Sequence, residues 1–207
     1  MSLVLDSIII CLNEVPLFKP LSLTVPAGKI VTIMGPSGCG KSTLLASICG
    51  MIDPGFSLSG TISLNDRCLN DIDMERRKVG ILFQDDLLFP HLDVFGNMEF
   101  GLPATMSRGQ KRDRVDSSLA AAGLEGFGGR DIATLSGGQK ARVSLLRALL
   151  AEPEAILLDE PFSKLDDNLR GSVKEFVFEQ IGLMNVPALL VTHDCSDSAD
   201  GTFIELN

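Results

Sequence analysis

Nine consecutive residues have the composition of an anion cradle. Gly35, Pro36, Ser37, Gly38, Cys39, Gly40, Lys41, Ser42 and Thr43 read GPSGCGKST and fit the pattern G-x-x-x-x-G-K-[ST] at every position. The glycines let the backbone turn tightly with its N–H groups pointing inward, where they and the positive end of a following helix meet phosphate oxygens. Lys41 adds a point charge for the outer phosphates, and the Ser42 hydroxyl suits Mg²⁺, a hard cation that prefers oxygen ligands. The pattern requires a strand before it and a helix after it. Residues 30–34 are a β-branched apolar run, and Leu44, Leu45 and Ile48 recur at helical spacing beyond the loop. A glycine-rich turn with a surface lysine explains the composition but not the full pattern in this setting.

A second constellation is Asp159 and Glu160. Ile156, Leu157 and Leu158 form an apolar strand that delivers both carboxylates at its C-terminal end, where open α/β sheets bind ligands. Two acids capping a strand can be purely structural. Beside a phosphate loop, however, Asp159 suits a metal's coordination shell, and Glu160, one residue further out, points towards an attacking water. A third is Leu135, Ser136, Gly137, Gly138 and Gln139, which precede an apolar helical stretch over 141–151. Ser136 can cap that helix, while the two glycines let an anion approach bare N–H groups. Because the chain already has one phosphate loop, a simple cap and a second phosphate site fit these residues equally.

The elements that must position these groups follow from periodicity and turn residues. Residues 3–10 and 21–25 are strand-like, and Pro26, Ala27 and Gly28 form a turn that feeds the strand before the loop. Residues 59–65, set off by Pro54 and Gly55, form another strand, and 79–83 form a compact apolar run ending at Gln84. Residues 86–129 change character, with a basic polar stretch at 107–114 and an amphipathic one at 115–122. They predict a helical insertion closed by Gly123 and by Gly126, Gly128 and Gly129. Strand signals return at 155–159 and 187–192. Between them, Leu169, Val173, Phe176, Val177 and Ile181 share one face of a helix over 168–181. Strand, helix, strand in that order implies a right-handed crossover and a parallel sheet. The expected fold is therefore α/β: a P-loop NTPase core with a mainly parallel sheet, an antiparallel β layer and a helical insertion. Residues 1–85 and 152–207 would form the nucleotide-binding core of a single domain, and 86–151 its helical subdomain.

Composition sets the outer bounds. With 207 residues, 45% of them hydrophobic and 22% charged, the chain has the usage of one ordinary globular domain, and no solenoid repeat appears. The net charge of −9 argues against nucleic acid as a partner. Cys11, Cys39, Cys49, Cys68 and Cys195 are odd in number, scattered and without a C-x-x-C pair, so free thiols in a reducing compartment are expected. The N-terminus lacks the positive region of a signal peptide, and no apolar run approaches the ~18 residues of a membrane span. A role at a membrane would need spanning segments from a partner.

The LSGGQ at 135–139 matches the signature of the ATP-binding-cassette (ABC) ATPases, and the chain resembles that family over essentially its whole length. Further motifs follow in the family's order: Gln84 as the Q-loop glutamine, 155–160 as Walker B, Ser163, Lys164, Leu165 and Asp166 as the D-loop, and His193 as the switch histidine. The resemblance implies the ABC ATPase fold, with ATP and Mg²⁺ as cofactors. It makes Glu160 the catalytic glutamate, with His193 and Gln84 as catalytic partners, and puts Ser42, Gln84 and Asp159 at the metal. It also implies a head-to-tail homodimer in which each ATP lies between the phosphate loop of one subunit and Ser136, Gly137, Gly138 and Gln139 of the other. On that basis the helix at Ser136 binds the γ-phosphate in trans. His193, which alone would read as a structural histidine, is implied to orient the water that Glu160 polarises. His91 has no evident chemistry and reads as surface or packing.

The segment from Gln84 to Leu92 is similar to that of bacterial importers of small solutes. The implied setting is a peripheral ATPase on the cytoplasmic face of the inner (cell) membrane, bound to integral-membrane permease subunits and served by a solute-binding protein. An exporter ATPase and a soluble ABC ATPase of a non-transport system are the alternatives. The absence of a coiled-coil insertion, zinc cysteines and basic charge counts against nucleic-acid repair. The chain also departs from the family pattern. It has no Tyr and no Trp, and the aromatic residue that the family stacks on adenine falls at or near Leu12, with Phe18 the nearest aromatic. Lys164 stands where alanine is common, and Asp85 and Asp86 make the segment after Gln84 acidic. The chain ends at Asn207, just past the strand-like 202–206, so it is expected to lack the C-terminal regulatory domain of sugar and polyamine importers.

Overall fold

The structure, a computed structural model, describes residues 1–199 and 203–206, with the side chains at 167 and 168 left out. Thr202 of the expected last strand and Asn207 lie outside the described residues. The chain divides into two units, one made of Met1–Ile81, Glu154–Glu160 and Phe178–Asn207, the other of Leu82–Pro153 and Pro161–Val177. From sequence the cuts were expected at 85/86 and 151/152. Residues 161–177, placed with the core from sequence, cluster instead with the helical unit.

Two sheets build the first unit. The antiparallel sheet contains β1 (Ser2–Leu12), β2 (Val15–Pro16), β3 (Leu21–Pro26), β5 (Phe56–Leu64) and β6 (Arg67–Cys68), with β1 paired to both β3 and β5. The second sheet has the order β10-β4-β9-β8-β7, from β4 (Ile30–Met34), β7 (Val79–Leu82), β8 (Ala155–Asp159), β9 (Ala188–Thr192) and β10 (Ile204–Glu205). In it β10, β4, β9 and β8 run parallel. Burial follows sheet type. Residues of β3 alternate strictly between buried and exposed, as in a sheet with one wet face, whereas β9 is buried along its whole length and β8 at all but its last residue. Helix α1 (Lys41–Cys49) contributes Leu44, Leu45 and Ile48 to the same core as Leu3, Ile10 and Ile62 of the antiparallel sheet and Ile33, Leu157 and Val191 of the parallel one. Each such side chain contributes roughly 1.5–3 kcal/mol by leaving water.

One irregularity matters for the site. β1 bulges at Ser7, shifting the β1–β5 register between Asp6↔Thr61 and Ile9↔Ser59. Gly60 accommodates it: a Cβ there would lie 2.4 Å from the Ser7 carbonyl oxygen, and its φ of 93° suits only glycine.

The second unit packs α2 (Val94–Glu99), α3 (Arg108–Ala121) and α4 (Gly137–Leu150) through Val94, Met98, Val115, Leu119 and Leu145, with the first part of α5 (Asp167–Met184) in the same unit. The amphipathic stretch expected at 115–122 is the second half of α3. Both α3 and α4 begin with a capping box, Ser107 with Gln110 and Ser136 with Gln139.

The far end of α1 is closed by Arg77, only 6% exposed. Its Nη1 donates to the carbonyls of Ser47 and Ile48 at 2.9 Å, and its Nε to that of Ile72 at 2.8 Å. Burial depresses the basicity of this guanidinium and pushes the neighbouring Cys49 thiol up to about 12. The last carbonyls of a helix need partners, and a cation is favoured there. Arg77→Met should therefore leave buried carbonyls unpaired and lower stability by about 3 kcal/mol. Urea unfolding checks this; an unchanged midpoint would mean that water closes the helix end.

Candidate functional site

Three chain segments leave the parallel sheet at one edge. Met34 pairs with Thr192, and Asp159 with Val191. Consequently the phosphate loop, Glu160 and His193 begin side by side, one residue beyond their strands. The loop turns on Gly40, at φ 98°, where a Cβ would lie 3.0–3.2 Å from Leu17 and Phe18 beneath it. Lys41 is buried, and its Nζ donates to the carbonyls of Gly35 at 2.8 Å and Pro36 at 3.0 Å. An ammonium has three donors, so two hold the loop's shape. The same Nζ stands 3.9 Å from Glu160 Oε1.

Ser42 Oγ donates to Asp159 Oδ1 at 3.0 Å. Burial raises the Asp159 carboxyl above the usual range, an effect the Ser42 hydrogen bond opposes, while Glu160 adds to it and Lys41 reduces it. Among the described residues no group of three or more His, Cys, Asp or Glu forms a metal cage. A hydroxyl and a carboxylate oxygen alone suit Mg²⁺, which keeps several waters and takes phosphate oxygens as further ligands.

Glu160 sits at φ 46°, a conformation rare outside glycine, and its N–H donates to Val191 O at 3.0 Å. The strain turns its side chain towards Lys41 and His193, whose Nδ1 lies 3.0 Å from Glu160 Oε2. Against a carboxylate that only accepts, Nδ1 is the nitrogen placed to donate. Behind His193, the Thr192 hydroxyl donates to Asp197 Oδ2 at 2.7 Å and accepts from Asp194 N at 3.1 Å. Thr192 and Asp197 are both 1% exposed. One buried hydroxyl thus ties down both neighbours of the histidine.

The remaining sequence-predicted residues are on the second unit. Gln84 is exposed, two residues beyond β7. Ser136 Oγ accepts from Gln139 N at 3.4 Å, and Gln139 Oε1 accepts from Ser136 N at 3.0 Å. That cap uses the oxygen of Ser136 as acceptor, so its O–H proton can still be donated to an anion approaching Gly137 and Gly138. Past Gln84, the Asp86 carbonyl is held by Ser144 and Arg147, and the Leu87 carbonyl by Arg147. Burial raises the Asp86 carboxyl. Two departures from the family pattern prove to be partners: Lys164 Nζ bonds Asp85 Oδ1. His91 contacts only the Phe89 ring among the aromatic contacts, at 6.0 Å between centroids. A larger cavity, about 580 Å³, lies between α3 and the glycine turns, but its charges are mixed and Arg112 pairs with Asp116 at 3.8 Å.

The expectation for the base contact needs correction. Phe18 is 4% exposed and packs in the core under Gly40, so it presents no face to a ligand. Leu12, 39% exposed, does line the cavity of about 280 Å³ beside the loop, together with Leu17 and Phe56. Sequence reasoning missed Phe56 because it began this strand at Ser59 rather than Phe56. The signal was present as an alternation of Phe56, Leu58, Ile62 and Leu64, interrupted only by Gly60.

A family profile described as ABC transporter matches residues 18–163. The chain belongs to the ABC transporter family. It is 46% identical over 196 residues to an uncharacterised ABC transporter ATP-binding protein, YnjD, of Escherichia coli (strain K12), covering 94% of this chain and 90% of that protein. It is 39% identical over 179 residues to the Fe(3+) ions import ATP-binding protein FbpC of Escherichia coli O157:H7, covering 86% of this chain and 51% of FbpC. It is 36% identical over 201 residues to the sulfate/thiosulfate import ATP-binding protein CysA of a Synechocystis species, covering 97% and 56%. The chain thus spans about half the length of these two import relatives. Within the family it is an ATP-binding subunit, and its reaction is ATP hydrolysis. Among the described residues no helix is long and apolar enough to cross a membrane.

The tie behind His193 can be tested. Thr192→Val keeps the volume but removes both hydrogen bonds, leaving the Asp197 carboxylate with one partner fewer. A slightly misplaced histidine should lower kcat roughly ten- to hundredfold with little change in the KM for ATP. Steady-state kinetics with an unchanged kcat would show that the turn is held without this hydroxyl.

Proposed function

We propose that the chain powers solute import by ATP hydrolysis, as a peripheral subunit on the cytoplasmic face of the cell membrane, bound to separate integral-membrane permease subunits. The observation that carries the chemistry is the Glu160 carboxylate held between Lys41 and His193 at the mouth of the phosphate loop. The loop N–H groups and Lys41 bind the phosphates. Ser42 and Asp159 would hold Mg²⁺, which when bound spreads the negative charge of the outer phosphates. Glu160 accepts a proton from the attacking water, and the His193 Nδ1–H keeps that carboxylate aimed. Ser136 to Gln139 would complete the site from a second copy arranged head to tail, donating to the γ-phosphate from a helix N-terminus.

Import is supported by the names of FbpC and CysA and by the surface after Gln84. There Leu87 is 55% and Phe100 72% exposed, and Phe89 stacks edge-on against Phe100 with ring centroids 4.9 Å apart. Exposed apolar clusters of this kind mark protein–protein contacts. The half-buried Arg147 braces the cluster, through the Leu87 carbonyl and over the Phe89 ring. Permease subunits would dock here, and a solute-binding protein would deliver the solute to them.

Two experiments test this reading. Glu160→Gln keeps volume and hydrogen bonding but removes the base, so ATP should still bind while turnover falls by at least ~100-fold. Lys41→Ala should weaken ATP binding itself. Parent-rate hydrolysis by the Glu160→Gln protein would remove Glu160 from the chemistry.

For the dimer, specific activity should rise with protein concentration. A mixture of Ser136→Arg and Lys41→Ala chains, each inactive alone, should recover activity at one composite site. Activity independent of concentration, from a species that sediments as a monomer, would contradict a shared site.

A further inference from the structure

We propose that Phe56 supplies the aromatic surface on which the nucleobase rests, in a chain with no tyrosine or tryptophan to offer. The inference rests on the reading of the loop as an ATP site. The cavity beside the loop is chemically divided. Its polar lining includes Lys41, Ser42, Thr43 and Glu160; its apolar lining is Leu12, Leu17 and Phe56, with Leu12 and Phe56 paired across β1 and β5. A nucleoside triphosphate has the same division. With its phosphates in the loop, its base has one apolar wall to cover, and among the described residues the only ring in that wall is Phe56.

Phe56 reaches this position through the register of two strands. Leu12↔Phe56 is the last rung of the β1–β5 ladder, and Ile10↔Leu58, two residues further in, belongs to the core. Opposed residues in an antiparallel pair project to the same face, so the core face of this sheet runs on past the core and becomes the cavity wall. The bulge at Ser7 is what sets the pairing. Continued in the register of Leu3↔Leu64 to Asp6↔Thr61, β1 would set Leu12 across from Gly55, and the wall would have no ring. With the bulge, absorbed by Gly60, the rung closes on an aromatic side chain. Phe56 packs against the core on one side, so its ring is held in place before a ligand arrives. Leu12 beside it adds apolar area, and Phe18 lies beneath the loop with no exposed face.

The test separates base from phosphate. ATP, GTP and inorganic tripolyphosphate, each with Mg²⁺, are titrated onto the parent, Phe56→Ala and Phe56→Leu proteins. Loss of the ring should weaken ATP and GTP alike, by about tenfold, because stacking tolerates every base, while tripolyphosphate binds as to the parent. Phe56→Leu keeps the strand's apolar packing and should show most of the same loss, which separates stacking from folding. Phe56→Trp introduces the sole tryptophan, and its emission should respond to ATP and GTP but not to tripolyphosphate. Parent-like ATP affinity in both the Ala and Leu variants, or an equal response of the tryptophan to tripolyphosphate, would overturn the assignment. A parent that bound tripolyphosphate as well as ATP would likewise leave no energy for a base contact and overturn it, with the ATPase reading intact. A parent binding neither would bring down the ATPase reading as well.

Discussion

The parallel pairing of β4, β9 and β8 is the constraint on which the phosphate site depends. Each strand delivers one component: the loop after Met34, Glu160 after Asp159, and His193 after Thr192. They meet because the three strands end within one residue of one another, with Met34 opposite Thr192 and Asp159 opposite Val191. A slip of one residue would reverse the facing of every side chain on the strand. Against that slip stand aliphatic residues buried on both faces, Ile156, Leu157 and Leu158 in β8 and Leu189, Leu190 and Val191 in β9. The spacing of the loop, Glu160 and His193 is thus set by hydrophobic packing within the sheet.

Two kinds of local device then refine what the sheet sets coarsely. One is the anchoring of backbone ends by buried polar groups. Arg77 closes the far end of α1, and the Thr192–Asp197 pair fixes the turn that carries His193. In the second unit Asn97, fully buried, accepts from Phe89 N and donates to the carbonyls of Phe89, Leu92 and Asp93, shaping the turn after Gln84. The other device is tolerated strain, seen in Glu160 at φ 46° and in the bulge at Ser7. Strain of this kind persists only where surrounding packing over-determines the backbone: Glu160 follows the buried β8 beside the buried β9, and the bulge lies between the buried Leu5 and Ile8.

Much of this was legible in the sequence because its signals are local. The phosphate loop needs nine consecutive residues, β8 announces itself as an aliphatic run ending in two acids, and the cap of α4 is written in Ser136 and Gln139. What could not be read is set by pairing between distant segments. Phe18 is near Leu12 in sequence yet turns into the core, whereas Phe56 lies far along the chain and meets Leu12 across a strand pair. Choosing between them requires the β1–β5 register, which depends on a bulge with no sequence signature beyond a glycine on the partner strand. Lys164 and Asp85 each looked anomalous alone, and their pairing joins positions 79 residues apart.

Electrostatics imposes a last condition on the site. A chain of net charge −9 must hold a polyanion beside two carboxylates, Asp159 and Glu160. At physiological ionic strength the Debye length is about 8 Å, so the acidic surface is largely screened from the loop and only near groups count. Those groups are arranged in opposition. The loop N–H groups, the N-terminal end of α1 and Lys41 face where phosphate would lie, while Asp159 and Glu160 flank the same space from β8. Lys41 serves both sides, since it stands 3.9 Å from Glu160 while bonded to the loop's own carbonyls. His193 Nδ1, 3.0 Å from Glu160 Oε2, gives the same carboxylate a hydrogen-bond partner on its other side. The Glu160 carboxylate thus has an ammonium on one side and an imidazole on the other, at the edge of the space the loop encloses.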